Sequence, residues 1–269
     1  MDISVILPIH EMNDEIKKML DNAINSILKQ EKLEKLPKLV PVFPKTIKDE
    51  IVKYFKQFTG QIEVQLVENN GETSFQSQIN LGVDQITTNY FSVLELDDEY
   101  NLKYFSNVLK HIKYYEDVDI FLSILVESDE KDNVVKLTNE PVWAKMVVGE
   151  NGELGYLNQH ALQQNTDYKI SGAVIKKESF KKIGGLKTKI KLTFVYEFLL
   201  RALYKGLKIY TIPIVGYKHQ YLRKGGLFDS YKNMSIIEKR FWFNVATKEA
   251  NFLSDRDIDL SQLNPVEKK

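Results

Sequence analysis

The sequence predicts an α/β protein: a doubly wound, mostly parallel sheet with a mixed second half and a C-terminal helical extension. Three observations carry this. Short apolar strands alternate with amphipathic helical runs from residue 3 to about residue 112, after which the connections become longer and more polar. From about Leu227 the text turns helical again, with apolar residues on one face and charges on the other. Alternation of this kind gives a parallel sheet covered by helices, with ligands at the carboxyl ends of the strands.

In chain order, "ISVILPI" (3–9) is a short, nearly all-apolar strand, and Ile16, Leu20, Ala23, Ile24, Ile27 and Leu28 then recur at helical spacing. "PKLVPVF" reads as a second strand whose prolines suggest a sheet edge or an early end. An amphipathic helix over "IKDEIVKYFKQF" leads to a third strand, "IEVQLVE". The polar loop "NNGETS" introduces a helix around "FQSQINLGVDQI". A fourth strand opens "YFSVLELDDEYNLKYF" (90–105), and Leu102, Phe105, Val108, Leu109 and Ile112 place a helix directly after it. In the second half, "VDIFLSILVE" and "VWAKMVVGENGELGYL" read as strands, the latter with a hairpin turn at Asn151 and Gly152. "GAVIKKESFKKIGGL" is a strand and a short helix stopped by Gly184 and Gly185. "TFVYEFLLRALYKG" is a helix ended by Gly206, and "LKIYTIPIV" is a final strand. The division expected is residues 1–226 as the α/β domain and 227–269 as a helical extension whose tail, "SQLNPVEKK", is loose.

Composition narrows the partners. The 37 basic and 37 acidic side chains cancel, so no overall field draws the chain to nucleic acid or an anionic membrane. Cysteine is absent, which excludes disulfides, thiolate metal sites and cysteine nucleophiles and suits a reducing compartment. No segment approaches the roughly 18 consecutive apolar residues of a membrane span. A soluble, cytoplasmic protein without a transmembrane segment is expected.

Chemistry gathers at the end of the fourth strand. Alternation along a strand points Glu95 and Asp97 the same way, and Asp98 sits where the strand gives way to a turn. Their mutual repulsion is unfavourable without a cation, and Mg²⁺ or Mn²⁺ takes one or two carboxylates together with phosphate oxygens and water. The competing reading is that these acids merely solvate the turn and place negative charge near a helix N-terminus.

Four stretches in order, "ISVILPIHEMNDEIKKMLDNAINSILKQ", "NNGETSFQSQINLGV", "NYFSVLELDDEYNLKYF" and "SGAVIKKESFKKIGGL", resemble the successive blocks of a family 2 glycosyltransferase of GT-A fold. The resemblance covers about residues 3 to 220. It implies that Pro8, Ile9, His10 and Glu11 touch the nucleotide of a nucleotide-sugar donor, with a UDP-sugar as the first expectation. It also implies that Glu95, Asp97 and Asp98 hold Mn²⁺ or Mg²⁺ against the diphosphate. His219 lies near where the family often places a His or Arg facing the metal. Lys218, Arg223 and Lys224 offer phosphate donors on a glycine-containing loop.

Departures from the family pattern matter as much. The second strand ends without the usual carboxylate for the base, and Ile79 precedes Asn80 where a basic residue is customary. Phe194 and Val195 occupy the two places of the acidic pair that normally supplies the catalytic base. Glu197 is the nearest carboxylate and the expected base, although it lies about 200° around the helix from 195 and equally forms an i,i+4 pair with Arg201. Asp167 is a further candidate. The function expected is metal-dependent, inverting transfer to an unknown acceptor hydroxyl, with a catalytically degenerate binding or assembly module as the alternative.

Overall fold

The structure is a computed structural model that describes residues 2–140, 155–221 and 223–248. Its first half contains β1 (Ile3–Pro8), α1 (Asp14–Leu28), β2 (Lys38–Pro44), α2 (Lys48–Phe55), β3 (Val67–Asn69), α3 (Phe75–Gln85), β4 (Tyr90–Val93), β5 (Glu99–Tyr100) and α4 (Tyr104–Tyr114). The second contains β6 (Ile120–Ser128), β7 (Val134–Thr138), α5 (Gln159–Gln164), β8 (Val174–Lys176), α6 (Lys177–Lys182), α7 (Phe194–Tyr204), β9 (Ile209–Gln220), α8 (Leu227–Ser230) and α9 (Ile236–Thr247).

Among the described residues, the strands form one sheet in the order β3-β2-β1-β4-β8-β6-β9-β5, with β7 paired to β6. β1 runs parallel to β2 and β4, β2 to β3, and β6 to β9. β8 runs antiparallel to both β4 and β6, which makes the second half mixed. The predicted doubly wound architecture is therefore present.

Both faces of the sheet are buried, which is why β1 is apolar apart from Ser4 instead of alternating with polar residues. Ile6 packs with α3, α7 and α9 on one face, while Ile3, Val5 and Leu7 pack with α1, α2 and α4 on the other. Local chemistry sets the helix starts. Asn13 caps α1 by accepting from Ile16 N at 2.9 Å, and Asp14 and Glu15 follow in its first turn, where the helix dipole favours negative charge.

Several expectations change. β2 is not an edge strand: it lies between β1 and β3. Its pairing on the β3 side instead lapses between the Leu39–Val64 bridge and the Val42–Val67 register, beside Pro41, which has no N–H to donate. β7 and the two-residue β5 have sequence signals too short to stand out. β9 continues five residues past Val215, because pairing with β6 extends to Gln220. The hairpin expected at Asn151 and Gly152 and the loose tail lie outside the described residues. Among the described residues, no helix is long and apolar enough to cross a membrane.

Candidate active site

The carboxyl ends of β1 and β4 open into a cavity of about 690 Å³. Pro8, His10 and Glu11 form one wall as the chain leaves β1. Ile9 turns its side chain into the core, and its carbonyl accepts from Gln78 Nε2 at 3.1 Å, which fixes this loop to α3. The N-terminus of α3 borders the cavity through Ser74, whose Oγ caps Ser77 N at 3.3 Å. Unpaired backbone N–H groups and the helix dipole make such an end favourable for an anion.

The acidic segment is a turn, not the tip of a strand. β4 stops at Val93, and Asp98 N bonds back to Glu95 O at 3.2 Å. A turn, not strand alternation, therefore gathers the three carboxylates: Glu95 and Asp97 both line the cavity, and Asp98 sits behind them with a different set of partners. Glu95 accepts from Ser171 Oγ, and its backbone N–H donates to Tyr217 Oη at 3.1 Å. Asp98 is buried, accepting from His219 Nδ1 at 2.8 Å and from Gln220 N at 2.9 Å. Asp97 lies nearer the cavity and accepts from Arg223 Nε at 2.7 Å. Gly172 supports the arrangement from below. Its φ is +64°, and a Cβ there would meet the Tyr217 ring at 2.5 Å, so only glycine lets the loop carrying Ser171 approach Glu95.

One ligand atom each from Glu95, Asp98 and His219 lies within 4.8 Å of the others. Burial pushes the carboxyls of Glu95 and Asp97 upward, and a neighbouring negative charge adds to it in each case. For His219, burial works to lower the pKa, but the charge and hydrogen bond of Asp98, with Glu95 beyond, outweigh it and raise the imidazole to about 9. Clustered, desolvated carboxylates draw a cation, which the protein itself supplies here as imidazolium and guanidinium. Two carboxylate oxygens and an imidazole nitrogen also form a donor set suited to Mn²⁺ or Mg²⁺, with the Asp98–His219 bond able to orient the ring.

The sequence profile of glycosyl transferase family 2 matches residues 4–184, more than half of the chain. The chain belongs to glycosyl transferase family 2. Its fold is similar to that of S. aureus TarS 1-349 in complex with UDP-GlcNAc, with a TM-score of 0.66 at 13% identity, covering 97% of this chain and 69% of that one. It is also similar to the mannosyltransferase PcManGT from Pyrobaculum calidifontis in complex with GDP-Man and Mn²⁺, with a TM-score of 0.56 at 12% identity, covering 83% of this chain and 58% of that one. No curated protein matches the sequence. The GT-A arrangement is thus shared across a wide sequence distance.

Measured against the family blocks, the predicted residues divide. Pro8, His10, Glu11, Glu95, Asp97 and Arg223 line the cavity, and Asp98 and His219 stand directly behind it. Lys218 does not join them. As a strand neighbour of His219 it faces the other way, paired with Glu99 at 3.4 Å and Asp132 at 2.7 Å. Lys224 is exposed.

Glu197 is also apart. α7 starts at Phe194 and not later, so Phe194 and Val195 line a second cavity while Glu197 is fully buried. Its carboxylate is bonded by Arg201 Nε at 2.7 Å and Nη2 at 3.1 Å, with Lys187 at 3.3 Å. That geometry describes a structural ion pair and leaves the carboxylate no path to an acceptor.

Sequence reasoning missed Gln78, Thr188 and Lys191, which also border or brace the first cavity. The available signal was the polar run opening α3. Gln76 Nε2 donates to Ile190 O at 2.7 Å, and Asn80 Nδ2 to Leu186 O at 2.7 Å, so these amides hold the loop that brings Lys191 to the cavity.

Proposed function

We propose that the chain is a metal-dependent, inverting glycosyltransferase that moves a sugar from a nucleotide-sugar donor, a UDP-sugar first among them, to an acceptor hydroxyl. The observation that carries the reading is the cavity at the ends of β1 and β4, where an anion-favouring helix end, Arg223 and the carboxylate–imidazole cluster converge. Family membership and fold neighbours in complex with UDP-GlcNAc and with GDP-Man and Mn²⁺ support it.

In this reading Pro8, Ile9, His10 and Glu11 form the nucleotide wall, with Ile9 acting through its backbone. Glu95, Asp97, Asp98 and His219 provide the ligands and supports for Mn²⁺ or Mg²⁺. When bound, the ion supplies positive charge to the departing diphosphate. Arg223, held by Asp97 in the free chain, presents a guanidinium at the cavity that suits phosphate oxygens. The loop bearing Gly225 and Gly226 lines the same cavity and gives Arg223 room to turn toward them.

The test is titration calorimetry with UDP and UDP-GlcNAc in Mn²⁺ and in chelator. Donor affinity should fall at least about tenfold, roughly 1.4 kcal/mol, in chelator and in Asp97→Ala, with the melting curve of the variant preserved. Metal-independent affinity, unchanged in Asp97→Ala, would refute the metal reading. Tight donor binding without turnover of any sugar nucleotide would instead favour a binding module.

A further inference from the structure

The second cavity, of about 370 Å³, adjoins the first. Phe75, Glu95, Leu227 and Tyr231 line both, so Glu95 stands on the shared wall. If the diphosphate lies beside Asp97 and Arg223, the sugar extends toward this wall. An attacking hydroxyl must approach the anomeric carbon opposite the leaving phosphate, and the second cavity, which neither Asp97 nor Arg223 lines, offers that side.

Such a hydroxyl needs a proton acceptor within hydrogen-bond reach. Among the described residues, the carboxylates lining the second cavity are Glu95 and Asp167. Glu95 is held by Ser171 and belongs to the metal-ligating cluster. α7 contributes Phe194 and Val195 to the lining and turns Glu197 inward. Asp167 remains, on the loop before β8, with its side chain 54% exposed. Its two oxygens are held separately: Lys136 of β7 donates to Oδ2, and Lys169 Nζ lies 3.5 Å from Oδ1. Opposed lysines aim the carboxylate and keep it ionised. Partial burial works to raise its pKa, but Lys169 and Lys136 outweigh that and hold it below the usual aspartate value.

We propose that Asp167 is the catalytic base, taking the proton of the acceptor hydroxyl in the second cavity. The inference rests on the donor reading of the first cavity. As the acceptor oxygen forms its bond to the anomeric carbon, its proton passes to the Asp167 carboxylate. The bond from that carbon to the phosphate oxygen breaks, and the electron pair leaves with the nucleoside diphosphate. Asp167 then returns the proton to solvent.

The experiment measures UDP release from UDP-GlcNAc with Mn²⁺, water serving as acceptor, together with calorimetric donor affinity. Asp167→Asn should lower kcat by about 10² to 10⁴ while donor Kd stays within about twofold. Asp167→Glu keeps the charge facing both lysines but displaces the carboxylate by a methylene. It should still lose at least about tenfold in kcat, and it serves if Asp167→Asn melts early. Wild-type kcat in either folded variant overturns the inference and leaves the donor reading standing. Donor binding without UDP release by the wild type overturns the base assignment and favours a binding module, with the donor site of the first cavity left standing. Absence of donor binding by the wild type overturns both.

Discussion

At the scale of single residues, burial of a paired carboxylate, more than the pairing itself, decides which can do chemistry: Glu197 is sealed, whereas Asp167 keeps 54% of its side chain exposed. Glu197 and Arg201 look on paper like an exposed i,i+4 pair, yet both are buried, and Arg201 also donates to the carbonyls of Ile183 and Gly185. Removing one partner leaves an uncompensated buried charge, which costs about 3–5 kcal/mol. Glu197→Ala should therefore lower the denaturation midpoint by a corresponding amount, while donor affinity of the folded fraction stays the same. Chemical denaturation combined with calorimetry checks this, and a loss of turnover without a loss of stability would return Glu197 to the list of bases. Asp98 and His219 show the same logic at the site. They sit 121 positions apart, and although the family resemblance places both near the metal, only the fold brings His219 Nδ1 to 2.8 Å from the Asp98 carboxylate.

Among elements, the position of α3 matters most, because its N-terminus borders the first cavity and its amides hold the loop from Leu186 to Ile190. Close approach to the sheet depends on Gly82. A Cβ there would lie 2.7 Å from Ile6 Cγ2 and 3.1 Å from Val42 Cγ2. Gly82→Val forces the helix outward, and overpacking of this kind costs about 1–3 kcal/mol. The variant should show both a lower denaturation midpoint and a weaker UDP-GlcNAc affinity, since the helix end moves with the helix. A stability loss with unchanged affinity would show that the cavity does not depend on the seating of α3.

For the whole molecule, the C-terminal segment is tied to the rest at two levels. Trp242, Val245 and Ala246 of α9 are buried in the core beside α7, and Thr193 Oγ1 donates to Trp242 O at 2.8 Å. Leu227 and Tyr231, on the way to α9, line both cavities. Trp242→Ala should cost about 3–5 kcal/mol, the usual range for a buried tryptophan, and should also weaken donor binding by loosening that connection. Equilibrium unfolding followed by two probes, with donor titration, reads both effects. A chain that keeps its stability and affinity would make 227–269 a separable appendage.

The sequence by itself determined the alternation of the longer strands and helices, though not β5, β7 or α5, along with the acidic segment after β4 and the family blocks. Each of these is encoded by neighbours a few positions apart: apolar periodicity, a run of carboxylates, glycines after a helical run. Only the tertiary structure decided that β2 is interior, that Lys218 and His219 face opposite ways, that Glu197 is sealed against Arg201, and that Asp167 opens onto a cavity beside Glu95. Those outcomes depend on strand register and on which face of a helix meets the core. Both are fixed by the sum of many contacts between distant segments, and a shift of one residue in a strand would reverse the side on which every one of its side chains lies.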